Sequence, residues 1–372
     1  MPRFMCRITI WILVASCLSS VIPCRAVAPG VSASAYILMD ADSGRVLLAQ
    51  NETAEKAIAS TTKIMTALVA LERSSLTDMV TVKREHLKEG SSMYLAEGER
   101  LTMEALLYGL MLPSGNDAAE CIADWCGKGR ERFVECMNEK ASALGMTHTS
   151  FANPSGLDAE GHYSCAADMA RLMAYAMRNP TFAQIVSAQS AMVGTRSMGN
   201  HNKLLGAVEG CIGGKTGYTN SAGRTLVTCA ERDGLRLVAV TLHDGSDWDD
   251  HRALYEYGFS AYRSERLIER GREYALTAVR GGAATYVRLC AAENFYYPLA
   301  EGEEPVFRVE AAGAVSAPVK AGQKCGKVVA LLDGMELGSV DLLTAGGVAA
   351  VEPESGTRTL AERLRALWRT ER

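Results

Sequence analysis

The sequence lacks a marked excess of either charge, and this excludes one large class of partner. The formal net charge is −4 at pH 7, and the isoelectric point is about 6.0. Proteins that bind phosphate backbones need clustered lysine and arginine, so no nucleic-acid partner is expected. Internal repeats and low-complexity tracts are also missing, and the 48% hydrophobic and 22% charged residues are typical of soluble globular domains.

Cysteine is not scarce, but the spacings that bind metals are missing. The 11 cysteines include no Cys-x-x-Cys pair, and none has zinc-binding spacing to a histidine, so no metal site is predicted. No other cofactor is predicted. Eight cysteines follow residue 26, namely Cys121, Cys126, Cys136, Cys165, Cys211, Cys229, Cys290 and Cys325. Some could pair in an oxidising compartment, but apolar neighbours, as around Cys229, suit buried thiols equally well.

An export signal is predicted over residues 1–28. Arg3 and Arg7 supply its positive start, a mostly apolar stretch covers residues 8–22, and cleavage is favoured after the small residue Ala26. Two alternatives rank lower because the apolar stretch is short: an uncleaved membrane anchor, and lipid attachment at Cys17, where the preceding residues resemble a lipoprotein box.

The next part of the chain, residues 29–264, predicts an α+β domain. Hairpin patterns lie around Asp42-Ser43-Gly44 and around Asp233-Gly234, near its two ends. Between them, helices are predicted from about Ser60, over residues 102–111, 117–125 and 131–144, and from a cap at Ser164 to before Pro180. This order predicts a helical cluster packed on an antiparallel sheet.

Residues 265–355 have a different character and predict a small all-β domain. They are rich in Gly, Ala and Val, with strand-like runs over residues 283–289, 306–309, 327–332 and 337–342. Residues 356–372 show a helical pattern with Leu360, Leu364, Leu367 and Trp368 on one face. This helix is expected either to dock on the β domain or to anchor the chain at a membrane interface.

Three short motifs occur once each and in a fixed order. They are Ser60-Thr61-Thr62-Lys63, Ser114-Gly115-Asn116 and Lys215-Thr216-Gly217. Each alone is a weak signal, because a helix cap, a turn or a loop before a strand would explain it. Together, each in the context that its chemistry requires, they favour acyl transfer to a serine.

The first two motifs supply a nucleophile and proton-transfer groups. Ser60 and Lys63 are three residues apart and therefore lie on one face of a helix. A lysine whose pKa is lowered by burial or by other cations can take the serine proton. Ser114 and Asn116 can hydrogen-bond this lysine and the substrate amide, and so relay a proton to the leaving amine.

The third motif supplies substrate-binding groups. Lys215 and the Thr216 hydroxyl can bind a carboxylate, and Gly217 has no side chain to obstruct an acyl group at the strand edge. The backbone amides of Ser60 and Tyr218 are candidates for an oxyanion hole. His162, His201 and His243 have no spacing that suggests a Ser-His-Asp triad, and Asp158 and Glu160 form no recognised carboxylate pair.

The motifs and several longer segments resemble the D-alanyl-D-alanine carboxypeptidases, low-molecular-mass penicillin-binding proteins of the serine peptidase family. The similar segments are residues 59–67, 114–119, 144–158, 200–205, 215–219 and 317–322. The resemblance covers roughly residues 33–352. It implies a β-lactamase/transpeptidase-like catalytic domain, a β-rich second domain and an amphipathic C-terminal anchor.

The resemblance also implies an activity and residue roles. An exported enzyme at the outer face of the cytoplasmic membrane would remove the terminal D-alanine from peptidoglycan pentapeptide stems. The reaction would pass through an acyl-serine intermediate, and β-lactam antibiotics would acylate the same serine. By position, Ser60 is the nucleophile, Lys63 the base, and Ser114 with Asn116 the second element. The substrate-binding strand comprises Lys215, Thr216, Gly217, Tyr218 and Thr219.

The chain departs from the family pattern in two places. Family members often have an arginine shortly before the helix corresponding to residues 252–259, where it helps to hold the substrate carboxylate. Here residues 245–250 are acidic, and Arg252 is the candidate substitute. Ala57 stands where proline is usual, and little functional effect is expected from it.

Three rival functions remain open. A DD-endopeptidase would cut peptidoglycan cross-links, and a catalytically silent scaffold would bind peptidoglycan with the same fold. A β-lactamase would need a deacylating glutamate after the second motif, and the sequence shows no such signature.

Overall fold

The structure, a computed structural model, describes residues 27–351. The predicted export signal, apart from its last two residues, and the predicted C-terminal helix at residues 356–372 lie outside the described residues, as does Cys17. Within the described part, no helix has both the length and the apolar character needed to span a membrane.

The first domain is built on a five-stranded antiparallel sheet with the order β2-β1-β9-β8-β7. Its strands, with two short ribbons included, are β1 (Ala35–Asp40), β2 (Val46–Gln50), β3 (Met79–Thr81), β4 (Arg100–Thr102), β5 (Ser190–Val193), β6 (Arg196–Gly199), β7 (Cys211–Thr219), β8 (Gly223–Arg232) and β9 (Leu235–Asp244). Both predicted hairpins are confirmed. The β8–β9 turn has positive φ at Asp233 and Gly234, as a two-residue hairpin requires.

Seven α-helices belong to the described part of this domain. They are α1 (Lys63–Arg73), α2 (Met103–Met111), α3 (Asn116–Gly127), α4 (Arg130–Ala143), α5 (Ala166–Ala176), α6 (Pro180–Ser187) and α7 (Asp247–Ala261). The helices predicted over residues 102–111, 117–125 and 131–144 are confirmed as α2, α3 and α4. The predicted helix at Ser60 begins as a 3₁₀ turn, Ala59–Thr62, and becomes α-helical at Lys63.

The predicted cap at Ser164 is wrong by one residue. Cys165 is the cap of α5, while the Ser164 hydroxyl hydrogen-bonds the Thr149 hydroxyl at 2.7 Å. The predicted end before Pro180 is confirmed, since α5 ends at Ala176, and Asn179 caps a separate helix that has Pro180 in its first turn. Tertiary contacts of the serine hydroxyl therefore override a favourable local capping choice.

The sheet is covered on both faces, which the sequence pattern did not specify. Ile37 and Met39 of β1 belong to the core formed with the helical cluster α1–α6. The alternate residues Tyr36 and Leu38 belong to a second core, which includes Leu254 of α7. Because successive strand residues point to opposite faces, β1 serves two cores and is fully buried.

The second domain is all-β, as predicted. Its strands are β10 (Tyr262–Ile268), β11 (Glu273–Arg280), β12 (Tyr286–Ala291), β13 (Phe295–Ala300), β14 (Val306–Ala311), β15 (Ala314–Ser316), β16 (Lys324–Leu332) and β17 (Met335–Thr344). Six of them form one sheet, β14-β16-β17-β12-β11-β15, and β10 pairs with β13. Arg45 joins the domains, because its guanidinium donates to Glu303 at 2.7 Å and to the Pro298 carbonyl at 2.6 Å.

The eight cysteines of the described residues are all free thiols. Most of them are buried, and burial raises the pKa of Cys121 to about 12 and that of Cys126 to about 11. Of the two alternatives that the sequence left open, the structure therefore has free thiols, six of them buried, rather than disulfides.

Candidate active site

The nucleophile candidate Ser60 lies on a strained turn that is held from two sides. Ala59, the preceding residue, has φ of +47°, a backbone conformation that costs a non-glycine residue about 1 kcal/mol or more. The Ile58 carbonyl accepts hydrogen bonds from the Thr61 hydroxyl at 2.6 Å and from the Thr225 hydroxyl at 3.1 Å. These bonds fix the turn, so that Ser60 occupies the start of the helix, where backbone N–H groups lack partners.

Lys63 is fully buried and makes three polar contacts through Nζ. They reach Ser60 Oγ at 2.9 Å, Asn116 Oδ1 at 2.8 Å and the Ser155 carbonyl oxygen at 2.5 Å. A neutral amine has two N–H groups and one lone pair. The two fixed acceptors can take the N–H groups, which leaves the lone pair directed at the serine hydroxyl.

The electrostatic surroundings favour that neutral amine. The pKa of Lys63 lies well below its ordinary value, first because burial disfavours the charged form and second because the Lys215 charge is close. Asp117 and Glu120 oppose this shift but do not cancel it. A neutral Lys63 amine at this distance from Ser60 Oγ can accept the proton of the serine hydroxyl.

The second motif contributes the Asn116 side chain, which contacts Lys63, and the Ser114 side chain, which lies in the cavity wall. The Asn116 amide group donates through Nδ2 to the Glu89 carbonyl at 2.9 Å, so its oxygen is turned towards Lys63. Ser114 lines the cavity beside Ser60 and has φ of +64°. Its hydroxyl is buried and has no hydrogen-bond partner within residues 27–351. This hydroxyl is available to a substrate in the cavity.

A turn at residues 153–157 supplies a contact to which the sequence interpretation gave no role. Its Ser155 carbonyl is the third partner of Lys63, and Asn153 Oδ1 accepts from the backbone N–H groups of Ser155 and Gly156 at 3.2 and 2.7 Å. A Cβ on Gly156 would clash with the Ala59 carbonyl, and φ there is +87°. The Asn-Pro-Ser-Gly sequence was the available signal, since such residues favour a tight turn.

The third motif lies on β7, the edge strand of the sheet. Thr216, Gly217 and Tyr218 line the cavity, whereas Lys215 is buried beside it and donates to the Thr216 carbonyl at 3.0 Å. Burial lowers the pKa of Lys215 to about 7. Thr219 does not line the cavity; its hydroxyl donates to Asp158 at 2.8 Å, which gives Asp158 a structural contact.

The cavity has a volume of about 460 Å³ and extends from Ser60 to the start of α7. Its remaining lining residues are Ser91, His201, Arg224, Asp247 and Trp248. Burial lowers the pKa of His201, so this ring is neutral at pH 7. Arg252 does not line the cavity, and its guanidinium pairs with Asp249 at 2.9 Å on the surface of α7.

Gly217 is required by the contact between β7 and the nucleophile turn. A Cβ at this position would meet the Thr225 hydroxyl and would lie 2.9 Å from the Ser60 backbone nitrogen. We expect Gly217→Ala to slow acylation of Ser60 about 100-fold, because displacing a reacting group by about 1 Å has this effect. The measurement is the rate of penicillin attachment by mass spectrometry.

Gly199→Ala is the matched control for this prediction. Gly199 is exposed on β6, and a Cβ there would meet no atom within 4 Å. Equal acylation rates in Gly217→Ala and Gly199→Ala would show that the close approach of β7 to Ser60 is unimportant.

Three residues of types that can bind metals lie close together away from the cavity. Glu85, His86 and Asp124 place potential ligand atoms within 4.8 Å of one another. However, His86 Nδ1 accepts from the Lys83 backbone N–H at 3.1 Å, so the ring proton is on Nε2, which faces Asp124 at 3.4 Å. The Lys83 ammonium also contacts Asp124 at 2.6 Å. Lys83 therefore contacts both His86 and Asp124, whereas the buried His86 Nε2 has no hydrogen-bond partner among the described residues.

Comparisons with known proteins agree with this geometry. Residues 23–246 match the family model for D-alanyl-D-alanine carboxypeptidase, and residues 262–350 match that for the C-terminal domain of penicillin-binding protein 5. The D-alanyl-D-alanine carboxypeptidase DacF of Bacillus subtilis is 30% identical over 356 residues, covering 90% of both chains. DacB2 of Mycobacterium tuberculosis is 39% identical over 62% of this chain and 84% of its own length.

Solved structures show the same two-domain similarity. Penicillin binding protein 5 from Haemophilus influenzae superimposes with a TM-score of 0.75 and 30% identity. The match covers 86% of this chain and 98% of that protein. The similarity therefore includes both the domain that contains Ser60 and the all-β domain.

Proposed function

The chain belongs to the D-alanyl-D-alanine carboxypeptidase family, and from that premise we propose that it is an exported serine carboxypeptidase that removes the terminal D-alanine from peptidoglycan stem peptides. The observation that carries this proposal is the contact of the buried Lys63 amine with the Ser60 hydroxyl at the wall of an open cavity. A base in contact with a serine nucleophile is the minimal unit for acyl transfer.

In the proposed acylation step, Ser60 Oγ attacks the carbonyl carbon between the two D-alanines while Lys63 Nζ takes the hydroxyl proton. The carbonyl oxygen becomes an oxyanion, for which the backbone N–H groups of Ser60 and Tyr218 are the candidate donors. Collapse of this intermediate breaks the C–N bond. The proton held by Lys63 passes to the leaving amine, with the Ser114 hydroxyl as the candidate relay, and D-alanine departs.

In the proposed deacylation step, water replaces the departed D-alanine. Lys63, neutral again, takes a proton from the water, whose oxygen attacks the acyl carbon. The bond to Ser60 Oγ then breaks, and the proton returns to this oxygen. β-Lactams would form the same acyl-serine. The family resemblance implies that the enzyme acts at the outer face of the cytoplasmic membrane.

The exposed edge of β7 supports substrate binding beside Ser60. The strand ends the sheet, so its outward N–H and C=O groups are available to an extended peptide. Thr216, Gly217 and Tyr218 lie along this edge in the cavity wall. A stem peptide that pairs with β7 would therefore pass its scissile carbonyl close to Ser60.

We expect the purified protein to release the terminal D-alanine from a soluble peptide ending in D-Ala-D-Ala, and not to release the terminal L-alanine from the same peptide ending in D-Ala-L-Ala. The reason is that a peptide paired with the edge of β7 has its leaving residue held in one orientation, which suits only one configuration at the Cα of that residue. Release is measured by mass spectrometry of the shortened peptide, which detects the loss of either enantiomer, beside mass spectrometry of the penicillin adduct.

The two measurements separate the proposed function from its rivals. An adduct on Ser60 without D-alanine release would favour an endopeptidase that acts on cross-links. Failure of both measurements would contradict the enzymatic proposal and favour a scaffold role.

A further inference from the structure

The cavity wall contains an arginine that belongs to none of the three motifs. Arg224 of β8 lines the cavity together with Thr216 and Tyr218 of β7. In the antiparallel register, Tyr218 pairs with Arg224 and Thr216 pairs with Leu226. Because paired residues and those two apart point to one face of a sheet, Thr216, Tyr218 and Arg224 share a face at the strand edge.

Two residues at the start of α7 hold the Arg224 side chain in place. Its Nη2 group pairs with the buried Asp247 carboxylate, and its guanidinium carbon lies 5.9 Å from the centre of the Trp248 ring. Asp247 is itself fixed by the Trp248 backbone N–H at 3.0 Å. Within residues 27–351, the other N–H groups of this guanidinium have no protein partner, and the side chain is 43% exposed.

The other cations near Ser60 are less suited to bind an anion in the cavity. Lys215 is buried and donates to the Thr216 carbonyl, and Lys63 is already surrounded by its three partners. Arg252 pairs with Asp249 outside the cavity. Among the described residues that line the cavity, Arg224 is the only lysine or arginine.

We propose that Arg224 is the specificity-determining residue that binds the terminal carboxylate of the substrate, next to the Thr216 hydroxyl. The inference rests on the proposed function, because it concerns the substrate of the same cavity. A planar guanidinium matches a carboxylate with two parallel N–H donors, and Asp247 with Trp248 orients it in advance. A residue of β8 thereby supplies the cation that is missing from residues 245–250.

The test compares two acylating agents that differ only in the carboxylate, benzylpenicillin and its neutral methyl ester. Rates of adduct formation at Ser60 are measured for the full chain and for Arg224→Gln, Arg224→Lys and Arg252→Gln. We expect Arg224→Gln to slow the reaction with benzylpenicillin about 10- to 100-fold, as expected for the loss of a charge-assisted contact. Its reaction with the ester should change little.

Arg224→Lys and Arg252→Gln are the matched variants. Lysine keeps a cation beside the buried Asp247 carboxylate, so this variant stays testable if Arg224→Gln fails to fold. It loses the two-pronged contact, and its preference for benzylpenicillin over the ester should fall between those of the wild type and Arg224→Gln. Arg252→Gln removes an arginine outside the cavity and should behave like the wild type.

Other outcomes would overturn the inference. An unchanged preference for benzylpenicillin in Arg224→Gln and Arg224→Lys would place the carboxylate elsewhere, and an equal slowing with both agents would show a general structural role. If the wild-type protein formed no adduct with either agent while remaining folded, the proposed function itself would fail. That result differs from the other two, in which the wild type is acylated.

Discussion

Replacing Ser60 with alanine is expected to abolish D-alanine release, with kcat/KM lowered by roughly 10³- to 10⁶-fold, the range set by loss of a nucleophile that acts together with its base. Without Oγ no acyl-enzyme can form, so the penicillin adduct should disappear as well. Lys63 would keep its contacts with Asn116 and Ser155, and the fold should therefore persist. Thermal unfolding of the variant checks this expectation.

Ser260→Ala is the matched control for this substitution. Ser260 is exposed near the end of α7, twelve residues after the cavity residue Trp248, and its hydroxyl donates to the Tyr257 carbonyl at 3.0 Å. If Ser60→Ala retained activity and Ser114→Ala lost it, the nucleophile would instead be Ser114, whose buried hydroxyl also faces the cavity.

Replacing Lys63 with methionine is expected to lower kcat/KM by about 10²- to 10⁴-fold, the usual contribution of a general base. Methionine fills similar space but cannot accept a proton. Arginine at this position should be equally inactive, because a guanidinium keeps its proton in proteins. The comparison of both variants therefore separates the loss of a base from the loss of a positive charge. Lys140→Met is the control, because Lys140 pairs with Glu72 at 2.7 Å and does not line the cavity.

The pH dependence gives an independent measure of the same residue. The pKa of Lys63 is lowered by folding, so the wild-type kcat/KM should fall about tenfold per pH unit once the pH drops below this pKa. Between the folded and unfolded pKa values the unfolded chain binds more protons, and the free energy of unfolding should rise with pH. Lys63→Met should weaken this rise. An unchanged stability profile would show that Lys63 titrates normally.

The positions of the motifs were predictable from sequence because they depend on local patterns. The apolar spacing after Ser60 predicted α1, the helical patterns over residues 102–111 and 117–125 predicted α2 and α3, and Asp233-Gly234 predicted the β8–β9 turn. Each of these signals lies within a few residues of the feature that it specifies. Helix α6 was missed because Pro180 was interpreted only as the end of the preceding helix, although Asn179 and Pro180 are also the cap and the first residue of α6.

The partners of the site residues were not predictable in the same way. The Ser155 carbonyl contacts Lys63 across 92 residues, and Thr225 contacts Ile58 across 167. Backbone carbonyls carry no signal in the residue type, so a pattern of side chains cannot reveal them. Likewise, Arg224 lines the cavity because of the register of β8 on β7 and because it pairs with Asp247 at the start of α7.

By itself, the sequence determined both hairpins and most of the helices of the first domain, and it placed the three motifs, because hydrophobic spacing, turn residues and short motifs are local properties. Only the tertiary structure decided that the sheet is covered on both faces, that Lys63 and Lys215 are buried, and that Arg224 borders the cavity. Burial and the proximity of charges arise when distant segments pack together. The lowered pKa values of Lys63 and Lys215 therefore belong to the folded chain and not to the motifs.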